Sequence, residues 1–258
     1  MLLAGRVVFV TGAGRGIGRG IAEAAAEAGA DLALGDLQED ALAETARLVE
    51  ARGRRALPLR LDVTDRASVA AAVADGVAAL GRLDGWVNNA GTLRMSPALE
   101  LAEDDWDAQM GVNAAALLAC CQTAAREMIR AGRGGAIVNV ASNAGKVGFP
   151  DMAGYNASKA AVISLTRSLA AEWAPHRINV NAVCPGGVDT PMLRAVAEWL
   201  APRRGIDPDE LHRGMTPRQL GRHVQPIEVG RVVAFLLSDA ALVVRGQAIN
   251  VDGGDTPY

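Results

Sequence analysis

The stretch Val7-Val8-Phe9-Val10-Thr11-Gly12-Ala13-Gly14-Arg15-Gly16-Ile17-Gly18 decides the fold. A continuous apolar run breaks into closely spaced glycines and passes into the Ala-rich segment Ile17 to Ala28, which Gly29 stops. An uninterrupted short apolar run reads as a strand buried on both faces, and an Ala-rich stretch closed by glycine reads as a helix. Working outward, the unit recurs. Leu32 to Asp36 is a strand, Glu39 to Arg52 a helix, Ala56 to Leu61 a strand, and Asp65 to Leu80 a helix ended by Gly81. Leu83 to Val87, Ala136 to Val140, Ile178 to Val183 and Ala248 to Val251 are further strands, with helices over roughly Glu103 to Ala131, Tyr155 to Trp173 and Ile227 to Leu237. Such alternation predicts an α/β fold, a doubly wound parallel sheet of about seven strands with helices on both faces. No Pro/Gly/Ser linker divides the chain, so residues 1–258 read as one domain. Thr190 to His223 interrupts the alternation: it is polar and Arg-rich, and contains Pro202, Pro208 and Pro217. A long excursion of this kind reads as a functional insertion.

Composition narrows the function classes. The chain is 50% hydrophobic and 21% charged, inside the globular range, with a net charge of -3. All but two of its 26 basic residues are Arg, the exceptions being Lys146 and Lys159, and none forms a basic run, which argues against a nucleic-acid partner. The sequence opens at Met1 without a cationic leader and has no apolar run near ~20 residues, so the expectation is a soluble cytoplasmic protein with no membrane partner. Cys120, Cys121 and Cys184 are odd in number and lack metal-ligand spacing, and they read as reduced core residues. His176, His212 and His223 are scattered in polar contexts and read as surface histidines, so no metal is expected.

The glycine turn carries the first chemical signal. Gly12, Gly16 and Gly18 follow a G-x-x-x-G-x-G pattern at a strand-to-helix turn, where backbone N–H groups can approach a pyrophosphate at the helix N-terminus. The same turn can also serve packing alone. Asp36 ends the second strand, where a carboxylate can accept hydrogen bonds from adenosine ribose hydroxyls and repel a 2′-phosphate, favouring NAD over NADP. Its alternative role is to cap the next helix. Arg15 is either a solvated loop charge or a partner for a 2′-phosphate. Together these make the sheet Rossmann-like.

Tyr155 and Lys159 stand four apart at the start of a helix, so their side chains share a face. An ammonium ~4 Å from a phenol, at an effective dielectric of ~20, is worth at most about 4 kcal/mol, enough to bring the tyrosine near neutral pH. Tyr-x-x-x-Lys by itself also describes an interfacial Tyr beside a solvated Lys. Ser142 follows the run Ala136 to Val140, placing its hydroxyl at the carboxyl end of a strand, where doubly wound sheets bind ligands. The bland alternative is a turn or N-cap serine.

Taken in order, Thr11-Gly12-x-x-x-Gly16-x-Gly18, Asp62-Val63, Asn88-Asn89-Ala90-Gly91, Asn113, Ser142, Tyr155-x-x-x-Lys159 and Pro185-Gly186 resemble the short-chain dehydrogenase/reductase family from end to end. The resemblance implies Tyr155 as general acid/base, Lys159 on the nicotinamide ribose lowering the tyrosine pKa, Ser142 on the substrate oxygen, and Asn113 holding a water that relays protons to Lys159. It implies a cofactor surface of Gly12, Arg15, Gly16, Ile17, Gly18, Asp36, Leu37, Asp62, Val63, Asn89, Ala90, Gly91, Tyr155, Lys159, Pro185, Gly186, Val188 and Thr190. Asp62 and Val63 would meet adenine, Asn89 would brace the central strand, and Val188 and Thr190 would meet the carboxamide. Helix capping for Asp62 and a polar strand end for Asn89 are the bland readings. Ala141 departs from the pattern, since many members carry a serine there.

Within that family, Ser142-Asn-Ala-Gly145-Lys-Val-Gly148, Thr190-Pro-Met192 and Asn250-Val-Asp-Gly-Gly254 resemble polyol (sorbitol-type) and butanediol dehydrogenases. The expected reaction is hydride transfer between NAD(H) and a secondary alcohol or ketone, with Ser142, Asn143, Met152, Tyr155 and Met192 around a small diol, polyol or sugar alcohol. An NADPH-dependent 3-oxoacyl thioester reductase shares the motifs, and a non-catalytic nicotinamide-binding sensor is the alternative of another class. Residues 190–223 are expected to form a substrate lid, Met192, Val196, Trp199 and Leu200 recurring on one helix face; permanent packing of these residues against the sheet or a neighbouring subunit is the alternative. A homotetramer is expected through the helices Glu103 to Ala131 and Tyr155 to Trp173, with Leu117, Leu118, Cys120 and Cys121 supplying surplus apolar surface.

Overall fold

The computed structural model describes residues 1–257. Strand β1 (Val7–Thr11) is buried along its whole length and lies inside the sheet, third from one edge. It pairs in parallel with β2 (Asp31–Asp36) on one side and β4 (Gly85–Asn88) on the other, in register Val8↔Leu32 and Val8↔Gly85. With β3 (Ala56–Arg60), β5 (Gly135–Val140), β6 (Ile178–Pro185) and β7 (Ala248–Val251), the order is β3-β2-β1-β4-β5-β6-β7, every pairing parallel. The order reverses between β1 and β4. A crevice therefore opens beyond the carboxyl ends of these two strands, the place where such sheets take ligands.

Alternation along β1 sends side chains into two cores. Val8 and Val10 meet Leu32, Leu34 and Val138 under α1 (Gly16–Glu27), α2 (Glu39–Glu50) and α9 (Pro226–Leu236). Val7 and Phe9 meet Trp86 and Ile137 on the other face, under α3 (Arg66–Leu80), α5 (Leu117–Ala131) and α6 (Ala153–Glu172). Phe9 and Trp86 stack with centroids 4.4 Å apart; truncating either would cost about 3–5 kcal/mol. Helices α1 and α9 approach closely because glycines face each other: a Cβ on Gly230 would stand 2.3 Å from the Gly20 carbonyl oxygen. Leu117, Cys120 and Cys121 belong to the inner core, so the surplus apolar surface expected of them does not exist. No helix among the described residues is long and apolar enough to cross a membrane.

Two elements differ from the sequence reading. The helix expected over Glu103 to Ala131 is α4 (Glu103–Met110), a π-helical segment (Gly111–Ala116) and then α5. A π-turn rotates the residues it contains relative to the helix on either side, and the one it aims is Asn113. The insertion holds two helices, α7 (Pro191–Arg204) and α8 (Pro208–Gly214). They are separated at Gly205, whose φ of +64° is a left-handed stop.

Candidate active site

The glycine turn sits at the crevice. Helix α1 begins without a side-chain cap on its N-terminus and with no acidic residue in its first turn. Its leading N–H groups are thus left for an anion. Asp36 accepts hydrogen bonds from the main-chain N–H groups of Gly14 (2.9 Å) and Gln38 (3.1 Å). The N-cap of α2 is Gln38, so Asp36 is not the helix cap. A Cβ on Gly14 would lie 3.0 Å from the Asp36 carboxylate, so glycine is what lets the two approach. An uncapped helix end beside a fixed carboxylate fits the pyrophosphate and ribose of a dinucleotide.

Asn89 ties this turn to the end of β4. Its side-chain amide donates to the carbonyls of Thr11 (3.0 Å) and Gly12 (2.9 Å), and its main-chain N–H donates to the Thr11 hydroxyl (3.0 Å). The N–H of Ala90 donates to the same hydroxyl at 3.1 Å. A Cβ on Gly18 would stand 2.0 Å from the Gly12 carbonyl oxygen, so no larger residue fits this turn. Asp62 accepts from the hydroxyl and N–H of Thr64, which hold its carboxyl below the usual range. Asp65, not Asp62, caps α3. Leu37 and Arg15 are exposed, Val63 is half-buried against the core, and Ile17 packs against the opposite core.

The four catalytic candidates converge at the carboxyl ends of β4 and β5. Tyr155 and Lys159 lie in the first two turns of α6, and Ser142 stands two residues beyond the end of β5. The Tyr155 hydroxyl is hydrogen-bonded to Ser142, whose own oxygen accepts from the N–H of Ala144 at 3.1 Å. Ser142 is therefore both a turn cap and a partner of the tyrosine. Lys159 is buried and donates to the carbonyl of Val140 at 2.9 Å, with Nζ 5.7 Å from the Tyr155 ring centroid. Burial pushes Lys159 down to about 8. Burial also raises the Tyr155 phenol above its ordinary 10, with the Ser142 hydrogen bond opposing. The expected depression of the tyrosine by the ammonium is thus not found. The cause is geometric: the lysine is committed to a main-chain carbonyl below the ring, and both groups lie in a desolvated site.

Asn113 is buried, and its side chain is spent on structure: Oδ1 accepts from the N–H of Thr92, and Nδ2 donates to the carbonyl of Thr92 (2.8 Å) and the hydroxyl of Ser158 (3.0 Å). These bonds fasten the loop after β4 to α6. At Gly91 a Cβ would lie 3.1 Å from Asn113 Oδ1 and 3.6 Å from Lys159 Nζ, so that loop passes close to the catalytic groups. Beneath them runs a buried chain in which Trp86 donates to Asn88, Asn88 to Asn139, and Asn139 to Thr166. Thr11, Thr92, Asn139, Ser158 and Thr166 thus hold the site. Sequence reasoning gave them no role, since hydroxyls and amides within apolar runs carry no spacing signal.

The insertion starts over the glycine turn. After Pro185 and Gly186 end β6, Val188 bridges to Val224. Thr190 caps α7 by accepting from the N–H of Leu193, and its methyl group would lie 3.4 Å from a Cβ on Gly16. Val196, Leu200 and Leu211 form a third apolar cluster against Leu93, Met95, Met152 and Trp199. Met192 is 40% exposed and outside that cluster; it lies in the first turn of α7, one turn ahead of Val196 on the same face, where that face runs out beyond the cluster. Asn143 is buried, and a Cβ on Gly186 would stand 2.4 Å from its amide nitrogen. The cysteines are free and buried; burial raises the Cys184 thiol. His176 lies in a short 3-10 turn, whereas His212 and His223 come together with ring centroids 4.5 Å apart.

Comparison with known proteins agrees with this geometry. The family model described as "Enoyl-(Acyl carrier protein) reductase" matches residues 12–256. A short-chain dehydrogenase/reductase of Armillaria gallica is 39% identical, over 97% of this chain and 95% of its own length. The D-threitol dehydrogenase of Mycolicibacterium smegmatis is 41% identical, over 98% of this chain and 94% of its own. Among solved structures, an NAD+-bound xylitol dehydrogenase superimposes with a TM-score of 0.92 at 33% identity, covering 98% of this chain and all (100%) of the other. An actinorhodin polyketide ketoreductase with NADPH does so with a TM-score of 0.93 at 36% identity, covering 98% of each. Likeness over the whole chain, on a sheet of this order with the tyrosine, lysine and serine at its carboxyl edge, makes the protein a member of the short-chain dehydrogenase/reductase family.

Proposed function

We propose that this oxidoreductase is NAD(H)-dependent and interconverts a secondary alcohol and its ketone, with a small diol, polyol or sugar alcohol as substrate. The observation that carries the reading is the Tyr155 hydroxyl bonded to Ser142 beside buried Lys159. The bound nicotinamide supplies or accepts the hydride. Ser142 holds the substrate oxygen and Tyr155 gives or takes its proton. Lys159 donates to the ribose and, once brought toward the phenol, favours phenolate. Both side-chain N–H bonds of Asn113 are already used and its Oδ1 accepts from Thr92, so a water leading to Lys159 would be held by a remaining oxygen lone pair.

NAD is favoured over NADP by the Asp36 carboxylate held against the turn. Asn143 and Met152 form one wall of the substrate space, and residues 190–223 form its lid, closed through the cluster of Val196, Leu200 and Leu211. Free buried cysteines agree with a reducing, cytoplasmic setting. Trp106 and Ile129, each 40% exposed on α4 and α5, leave apolar surface for assembly into a homotetramer. The test is a panel of polyols, diols, steroids and 3-oxoacyl thioesters assayed with both cofactors. Best turnover of a short polyol or diol with NAD is expected. Best turnover of a thioester with NADPH would establish the alternative reductase, and binding of cofactor without turnover of any substrate would leave a sensor.

A further inference from the structure

Outside the active site, one cluster of side chains has the composition of a ligand set. Asp189, His212 and His223 come from the turn after β6, from α8, and from the chain leaving the insertion, yet each places one donor atom within 4.8 Å of the others. Sequence separation hid the grouping, since the two histidines alone are 11 residues apart. We propose that these three residues bind one divalent transition-metal ion of the zinc type, and that the ion clasps the 190–223 insertion at its base.

Two features beyond proximity support the assignment. His212 Nε2 is buried with no hydrogen-bond partner among the described residues, a state that costs free energy unless something takes its lone pair or proton. His223 Nε2 lies 3.1 Å from the His212 carbonyl. A carbonyl only accepts, so this nitrogen carries the proton and Nδ1 keeps the lone pair. An imidazole oriented through its far N–H by a main-chain carbonyl is the usual arrangement of a metal-bound histidine. The two rings are tilted by 51°, not stacked flat.

The donor set selects the ion. Two imidazoles and a carboxylate suit zinc and its neighbours, whereas magnesium and calcium want oxygen alone. Tetrahedral bonds of ~2.0–2.1 Å put ligand atoms roughly 3.4 Å apart, so side-chain rotation has at most about 1.4 Å of the present spacing to close. Water takes the fourth position. Arg194, whose charge acts on His212, is itself paired with both Asp209 and Glu198.

The position gives the ion its consequence. The N–H of Asp189 donates to Val224 (2.9 Å), and the N–H of Val224 donates to Gly187 (3.0 Å), so entry and exit of the insertion are already zipped together here. An ion at this point adds α8 to that junction, one residue from both Val188 and Thr190.

The experiment uses tag-free, chelator-stripped full-length protein titrated with zinc sulfate in a calorimeter, and with cobalt for its absorption bands. One ion per chain is expected, with cobalt bands of low coordination number. Asp189→Asn, an exposed position, and the His212→Gln/His223→Gln pair should each weaken binding by roughly a hundredfold or more. His176→Gln should leave it unchanged, and zinc should slow tryptic cleavage after Arg203 and Arg204. Circular dichroism and cofactor binding check that the variants are folded. Absence of saturable zinc binding, or binding that survives Asp189→Asn, would overturn the proposal. No turnover is measured, so failure here leaves the oxidoreductase reading untouched.

Discussion

The carboxylate of Asp36 accepts a hydrogen bond from the main-chain N–H of Gly14 at 2.9 Å, which fixes a negative charge against the glycine turn. A 2′-phosphate brought within ~5 Å of it, at an effective dielectric of ~20, meets up to about 3 kcal/mol of repulsion per charge, roughly a hundredfold in KM. The unmodified enzyme should therefore prefer NAD, and Asp36→Ala should narrow the NAD/NADP ratio mainly through KM. Steady-state kinetics with both cofactors decide it. A native preference for NADP would reject this role and turn attention to exposed Arg15.

Tyr155→Phe removes only the hydroxyl that Ser142 engages, leaving the ring in place. Activity should drop roughly 10²–10⁴-fold, the usual contribution of a positioned acid/base. Cofactor affinity and melting temperature should change little. Activity within a few-fold of the parent would remove Tyr155 from proton transfer.

The buried ammonium of Lys159 gives a pH signature with a definite sign. Its folded pKa is pushed to about 8 from an ordinary 10.5, so between these values the unfolded chain binds more protons and stability rises with pH. The penalty is fully present below pH 8 and gone above 10.5. The buried tyrosine and thiols titrate the opposite way, but they are common to both proteins when Lys159→Met is compared with the parent. From neutral pH to about 10.5, the parent should gain roughly 3 kcal/mol relative to Lys159→Met. Urea midpoints across that range measure it. A difference independent of pH would mean that the lysine is solvated.

Much of the scaffold can be read from the chain because its strands are uninterrupted apolar runs. Val7 to Val10 has no alternative to burial on both faces, and Tyr155 and Lys159 share a helix face by spacing alone. The details that escape are decided by partners distant in sequence. Gly111–Ala116 becomes a π-turn where Asn113 meets Thr92 and Ser158, contacts no helical period announces. Leu117, Cys120 and Cys121 look like surplus apolar surface in sequence, yet α5 needs all three to cover the sheet. The tyrosine pKa escapes for a related reason: spacing places an ammonium near a phenol, but only the fold shows that ammonium donating to Val140 in a desolvated site.

The insertion allows the last prediction, because its packing is divided. Val196, Leu200 and Leu211 rest on Leu93, Met95 and Met152, side chains of the loops around the catalytic groups. Residues 218 and 219 are instead tied to the C-terminal tail, Arg218 through Asp255 and Gln219 through Gly254. The first contact is a small apolar cluster with few polar bonds, the kind of surface that opens at low cost. The second anchors the exit. Motion should therefore be confined to α7 and α8, with the tail as a fixed end, and a substrate seated beneath the cluster should hold them down. Arg203 and Arg204 are exposed at the end of α7 and report on it. Tryptic cleavage there should slow when NAD and a turned-over alcohol are both present, with chelator added so that no metal ion contributes. Leu200→Ala, which removes part of the buried face at a typical cost of about 2–5 kcal/mol, should speed cleavage and raise the KM for the alcohol more than that for NAD. If cleavage is indifferent to ligands and Leu200→Ala alters stability without altering either KM, the two helices are permanent packing and substrate choice lies with Asn143 and Met152.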